Sequence, residues 1–368
     1  MPAGSVEASA GSGGDVSTKM MTARSSERSQ ITGWLKDPLF DLCFIFGIAL
    51  LGSVMSGVTV IWPALFLTML TAHTWLFGYD HLVATYTNLL GTPQDRLHNW
   101  RLIVLLPPLV FGCLYGIGRR YGLTGMYTMY FFGQFFHTVR QSWGIAQQYR
   151  HRAGGIPSDP MWLSEVTLWS VPLWGFLHRC TQQPEEFLYQ QLWLPTVPVE
   201  VTVCGCLLSV GLWLYFGYTR LVAYRRGQLA IGHTLYMLSH LGIYLGGYIL
   251  IEDISSGWLL VNVWHNVQYL MFVWLFNRRR FAGGIDPSSR SLSWLSQPGF
   301  RRAALYYLTC LFIATPAYYL VLRLGERIDG FYAQTVIPSA VLLSLSFTVH
   351  HYIVDGFIWK RRKHPAVL

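Results

Sequence analysis

The hydrophobic positions fall into about ten long runs, near residues 40–63, 64–90, 102–118, 122–149, 161–179, 196–219, 229–251, 256–277, 303–322 and 332–358. At about 1.5 Å of rise per residue, runs of this length cross about 30 Å of hydrocarbon as helices. The pattern predicts an all-α protein, a polytopic transmembrane helical bundle occupying residues 39–359. The stretch before it, rich in Ser, Gly and Ala and lacking the apolar segment of a signal peptide, reads as a disordered cytoplasmic tail over 1–38. Residues 360–368 read as a basic cytoplasmic tail.

The polar residues inside these runs are few and patterned. Tyr130 to Tyr149 reads as a spanning helix, yet its middle carries His137, Arg140 and Gln141. At about 100° per residue, His137, Gln141 and Gln148 share one stripe, with Arg140 about 60° to the side. In 64–90, His73, Asp80 and Thr87 form one stripe, and His81, Thr85 and Asn88 an adjoining one. His233 and His240 share a face of 229–251, while Asn262, His265, Asn266 and Tyr269 crowd a narrow arc of 256–277. The last run brings His350, His351 and Asp355, with His351 and Asp355 at i,i+4 spacing. An ionisable group at bilayer depth costs about 2.5–3.5 kcal/mol on insertion scales, so such residues face a bundle interior and find partners there.

Depth relates the histidines to one another. Counted from the inner end of each run, His81 lies at roughly 14 Å, His137 and His265 at roughly 18 Å, His240 at roughly 17 Å, and His350 and His351 at roughly 10–12 Å. Five helices thus deliver imidazoles to one slab. Neutral imidazole is the commonest metal-ligating side chain. These spacings point to His81, His137, His240, His265, His350 and His351 as metal ligands. Asp80 and Asp355 would ligate or orient a ring through its second N–H, and Arg140 with Gln141 would position substrate or oxygen. A nitrogen- and oxygen-rich site suits iron, copper or zinc, and the six cysteines show no spacing for a zinc or iron–sulfur site. Two other readings stand beside it: haem between opposed histidines, and a proton or ion path built from hydrogen-bonded histidines.

Composition and charge agree with the membrane reading. The chain is 52% hydrophobic and 12% charged, where soluble proteins carry about 25% charged residues. Its net charge of +9 is a matter of topology. With both termini in the cytoplasm, 21 of the 27 Lys and Arg fall on the inner side. The outer side receives Arg119, Arg120, Arg179, Arg323 and Arg327, which is the positive-inside bias. Nucleic acid is not the expected partner; the lipid bilayer is.

Histidines clustered toward the cytoplasmic side of a helical bundle resemble the membrane desaturase and hydroxylase class of non-haem iron oxygenases. The segment Phe135 to Gln141, FFHTVRQ, is similar to an F-H-S-x-R-H segment of the Brp/Blh carotenoid-cleaving family, with Gln141 standing where that segment has its second histidine. These resemblances imply one or two irons, a lipophilic substrate such as a lipid or isoprenoid, and a cytoplasmic or membrane electron donor. The expected function is therefore an integral-membrane, iron-dependent oxygenase or oxidoreductase. Its alternative is a non-enzymatic transporter, proton path or haem-binding membrane protein.

Overall fold

The computed structural model describes residues 32–156, 159–331 and 337–359; of the expected tails, 1–31 and all of 360–368 lie outside the described residues. The chain is almost wholly helical. Helix α1 is Pro38–Ile61, and α2 covers 66–90. A short α3, Pro93–His98, leads through a turn of helix at Trp100–Val104 into α4, Leu106–Arg152. There follow α5 (Met161–Gln182), a two-residue hairpin pairing Glu186–Phe187 with Gln190–Gln191, α6 (Val199–Arg225) and α7 (Ile231–Leu245). Helix α8 is Ile254–Arg280, α9 Arg290–Leu295, α10 Phe300–Phe331 and α11 Ser339–Ile358. Six helical units are long and apolar enough to cross a membrane: α1, Trp100–Arg152, α6, α8, α10 and α11.

Local chemistry sets the helix boundaries. Asp37 caps α1 by accepting the Phe40 N–H at 2.9 Å, and Asp253 caps α8 by accepting that of Ser256 at 2.7 Å. Thr92 and Asp95 form a reciprocal capping box that starts α3. The chain ahead of α1 is tied down through Asp41, which accepts the backbone N–H groups of Leu35 and Lys36, each at 3.0 Å.

Helix α4 is two rods. Gly122 breaks it with φ 67° and ψ −163°, a backbone region open essentially to glycine alone. The halves fold back on each other, so that Gly118 lies against Met126 and Val110, Leu114 and Met126 share one apolar cluster.

Helix α8 is the axis of the bundle. Its most apolar window is 83% buried, against 17% for α6 and α10, so protein surrounds α8 while α6 and α10 turn most of their surface outward. Small residues let α1 close on it. Ser56 donates to the Ser256 carbonyl at 2.7 Å, Thr59 to Ser256 Oγ at 2.8 Å, and a Cβ on Gly52 would stand 3.0 Å from the Leu260 carbonyl. This is how membrane helices associate where burial gives no hydrophobic gain. Buried Arg179 donates to the carbonyls of Gly247 and Glu252 at 3.1 and 2.6 Å, satisfying backbone where α7 ends in a π turn.

A second π turn, Thr74–Gly78, interrupts α2. Such a turn adds about one residue to a two-turn repeat. His73 therefore aligns with His81 rather than with Asp80, and both histidines line the central cavity while Asp80 does not. The expected stripe of His73, Asp80 and Thr87 is corrected by this single insertion.

Candidate metal centre

Four helices each contribute one buried imidazole to a common point. His81 of α2, His137 from the second half of α4, His265 of α8 and His351 of α11 each offer a ligand atom within 4.8 Å of the others. Nε2 of His351 is 2.7 Å from Nε2 of His81 and 3.2 Å from Nε2 of His137. Facing lone pairs at these distances repel unless a proton or a cation lies between them. At metal–nitrogen distances of about 2.0–2.1 Å, neighbouring ligand nitrogens stand about 2.9–3.4 Å apart and opposed ones about 4.2 Å. The four-histidine group spans that range, so it can hold a metal ion.

One ligand has a directed support. His351 Nδ1 is 2.8 Å from Thr85 Oγ1. The Thr85 hydroxyl donates to Tyr269 Oη at 2.8 Å, and Tyr269 donates to Asp355 Oδ1 at 2.7 Å. Because the Thr85 hydrogen is spent on Tyr269, its lone pair takes the proton of His351 Nδ1–H. That tautomer leaves Nε2 bare and pointed at the other rings, as a metal ligand requires. Trp359 adds its N–H to Tyr269 Oη at 3.3 Å. His137 is held differently, by stacking on Tyr352 with centroids 4.4 Å apart.

His81, His265 and His351 form one end of a cavity of about 360 Å³. In each of the four helices the cavity extends toward lower residue numbers, so all four run the same way past it. The positions three before each histidine, Gly78, Gln134, Asn262 and Thr348, all line it. Gln134 Nε2 donates to Asn262 Oδ1, and Gln134 Oε1 accepts the Trp258 indole N–H at 2.9 Å. A layer of polar side chains thus lies one turn outside the histidines.

No protein-family model, curated protein or solved structure matches the chain.

Of the six histidines expected as ligands, the structure brings four together. His240 is buried but turned to α5, its Nε2–H donating to the Leu168 carbonyl at 2.9 Å. His350, next to His351, faces another side of α11. Its Nε2–H donates to the Leu102 carbonyl at 2.8 Å, and its Nδ1 accepts from Tyr86 Oη at 2.9 Å. Asp355 stands behind the rings, 3.8 Å from His351 Nδ1 and 4.0 Å from His137 Nε2. Asp80 is buried beside His81, where its Oδ1 accepts the His81 backbone N–H at 2.8 Å. Gln141 ties α4 to α8 by donating to the His265 carbonyl at 3.3 Å. Arg140 is exposed, its guanidinium 6.0 Å from the centre of the Phe136 ring, on the outer face of α4. The long side chain turns its charge away from the interior, which spares it the cost of burial.

Sequence reasoning gave no role to Thr85, Gln134, Tyr352 or Trp359. Helical spacing carried the signal for the first two: Thr85 lies four residues after His81, and Gln134 three before His137.

Proposed function

We propose that the chain is an integral-membrane, metal-dependent oxygenase or related oxidoreductase, with non-haem iron held by His81, His137, His265 and His351, acting on a lipophilic substrate of the lipid or isoprenoid class. The observation that carries this reading is the convergence of four buried imidazoles, three of which form one end of a cavity. When bound, iron supplies redox and Lewis-acid chemistry toward dioxygen. The chain's own residues supply the rest. Thr85, Tyr269 and Asp355 fix the His351 tautomer, the aromatic and apolar wall excludes water, and the polar layer orients what enters.

Haem suits the geometry less well. Two opposed ligands would need the plane between them free for the macrocycle, and the other two histidines occupy it. A conducting path is disfavoured because Thr85, Tyr269 and Asp355 close the inner end of the cavity with buried side chains. In this reading the bundle has ten spans with both termini cytoplasmic, in keeping with 21 inner Lys and Arg residues. The site then lies in the cytoplasmic half, within reach of a cytoplasmic or membrane electron donor.

The test is the metal content and optical spectrum of the purified protein. Bound iron without a Soret band is expected. A Soret band, or purified protein free of transition metal after growth in iron-rich medium, would overturn the proposal. Lipid profiles of cells with and without the gene would then name the substrate.

A further inference from the structure

The cavity is long and ends at the histidines. On α2 it extends from His81 out to Leu70, and on α11 from His351 out to Ala340, in each case about 16 Å of helix. A cavity of about 360 Å³ drawn out along two helices over that distance suits an extended chain. At the far end, Leu70, Tyr318, Leu322 and Val341 line the cavity and are partly exposed. The opening therefore faces the flank of the bundle, between α2, α10 and α11.

Asn266 carries an uncommitted acceptor at the histidine end. Asn266, adjacent to His265, donates its amide N–H to His73 Nε2 at 3.0 Å. Its Oδ1 takes no hydrogen bond from the described residues, yet it is not sealed off within the protein, so it opens on the cavity that Asn266 lines. A bare carboxamide oxygen in an apolar chamber calls for a donor.

We infer that this chamber binds a linear primary alcohol, alkyl or prenyl, whose hydroxyl donates to Asn266 Oδ1 beside His265 while its tail runs past Leu345 and Val341 to the flank. The histidine end holds the hydroxyl terminus, and the middle of the chain lies a turn or more away. The inference deepens the oxygenase reading and rests on it for its chemical meaning; the binding itself needs no turnover.

The experiment uses the full chain in lipid nanodiscs and a hexadecan-1-ol probe with a photoreactive diazirine at the tail end. Adducts are mapped by peptide mass spectrometry, and bound metal is measured on the same samples. Adducts at Leu322 and Val341 are expected, displaced by hexadecan-1-ol much better than by 1-methoxyhexadecane, which has the same shape without the donor. Asn266→Leu should shrink that preference roughly fivefold to tenfold, the scale of one hydrogen bond. Ser344→Trp, which plugs the tube away from the histidines, should abolish chamber labelling and leave metal content unchanged. Equal displacement by alcohol and ether overturns the assignment of a hydroxyl. Adducts confined to lipid-facing α6 overturn the chamber. Metal without chamber labelling overturns this inference alone, whereas chamber labelling without metal supports it and overturns the oxygenase reading.

Discussion

His351 and His81 lie 270 residues apart in the chain, yet their Nε2 atoms stand 2.7 Å from each other. Two neutral imidazoles at that separation can share one proton. The third ring changes the balance, because His137 Nε2 approaches the same His351 atom to 3.2 Å, and with Nδ1–H committed to Thr85 that atom has a single lone pair. A cation at the centre of the four rings would resolve the conflict. Metal binding would then be linked to folding. An ion that binds only the folded state stabilises it by about 2.7 kcal/mol at a hundredfold excess over its dissociation constant.

The histidines should divide into two sets. His81→Ala, His137→Ala, His265→Ala and His351→Ala should each strip most bound metal from the purified protein. His240→Ala and His350→Ala should retain it, since their rings serve the carbonyls of Leu168 and Leu102. Arg140→Gln should retain it as well, because Arg140 lies on the outer face. Elemental analysis of matched preparations decides the matter, and retention of full metal by His137→Ala and His265→Ala would refute the ligand set.

Chelation should lower thermal stability, and re-addition of the ion should restore it. The shift should vanish in His351→Ala, which loses a ligand. Melting followed by tryptophan fluorescence with and without chelator measures it. An equal shift in the variant would place the stabilising ion elsewhere.

Thr85 carries a sharper expectation. Thr85→Val keeps the shape but removes the acceptor that fixes His351 Nδ1–H. Losing an outer-shell partner weakens metal affinity by about 10–100-fold. Thr85→Ser, which keeps the hydroxyl, should stay close to the parent. Competition with a chelator of known affinity reads both, and equal behaviour of the two variants would show that the hydroxyl has no part in holding the ring.

The helices were legible in the sequence, because hydrophobic length depends on local pattern alone. Direction around each helix was harder to read. His240 is buried as expected, but its ring turns to α5, and nothing in its own run says which neighbour it will meet. His350 and His351 are adjacent and differ by about 100°; only packing decides which one joins the group. The π turn at Thr74–Gly78 was invisible as well, and it moved His73 into register with His81. Arg140 was misplaced for an energetic reason: a long cation at the edge of a polar stripe lowers its free energy by reaching outward.

Gly122 offers a test of the fold apart from any metal. Its φ of 67° and ψ of −163° belong to a region that costs a residue with a Cβ about 1–3 kcal/mol. A Cβ built there meets nothing within 4 Å, so Gly122→Ala isolates the conformational cost from any clash. Gly112 is equally open but lies inside the first half of α4, so Gly112→Ala should be neutral or stabilising by up to about 1 kcal/mol. Denaturation of the two variants side by side in one detergent measures the difference. If Gly122→Ala proved as stable as Gly112→Ala, the sharp corner that folds α4 back and sets the second half, with His137, against α8 would be wrong.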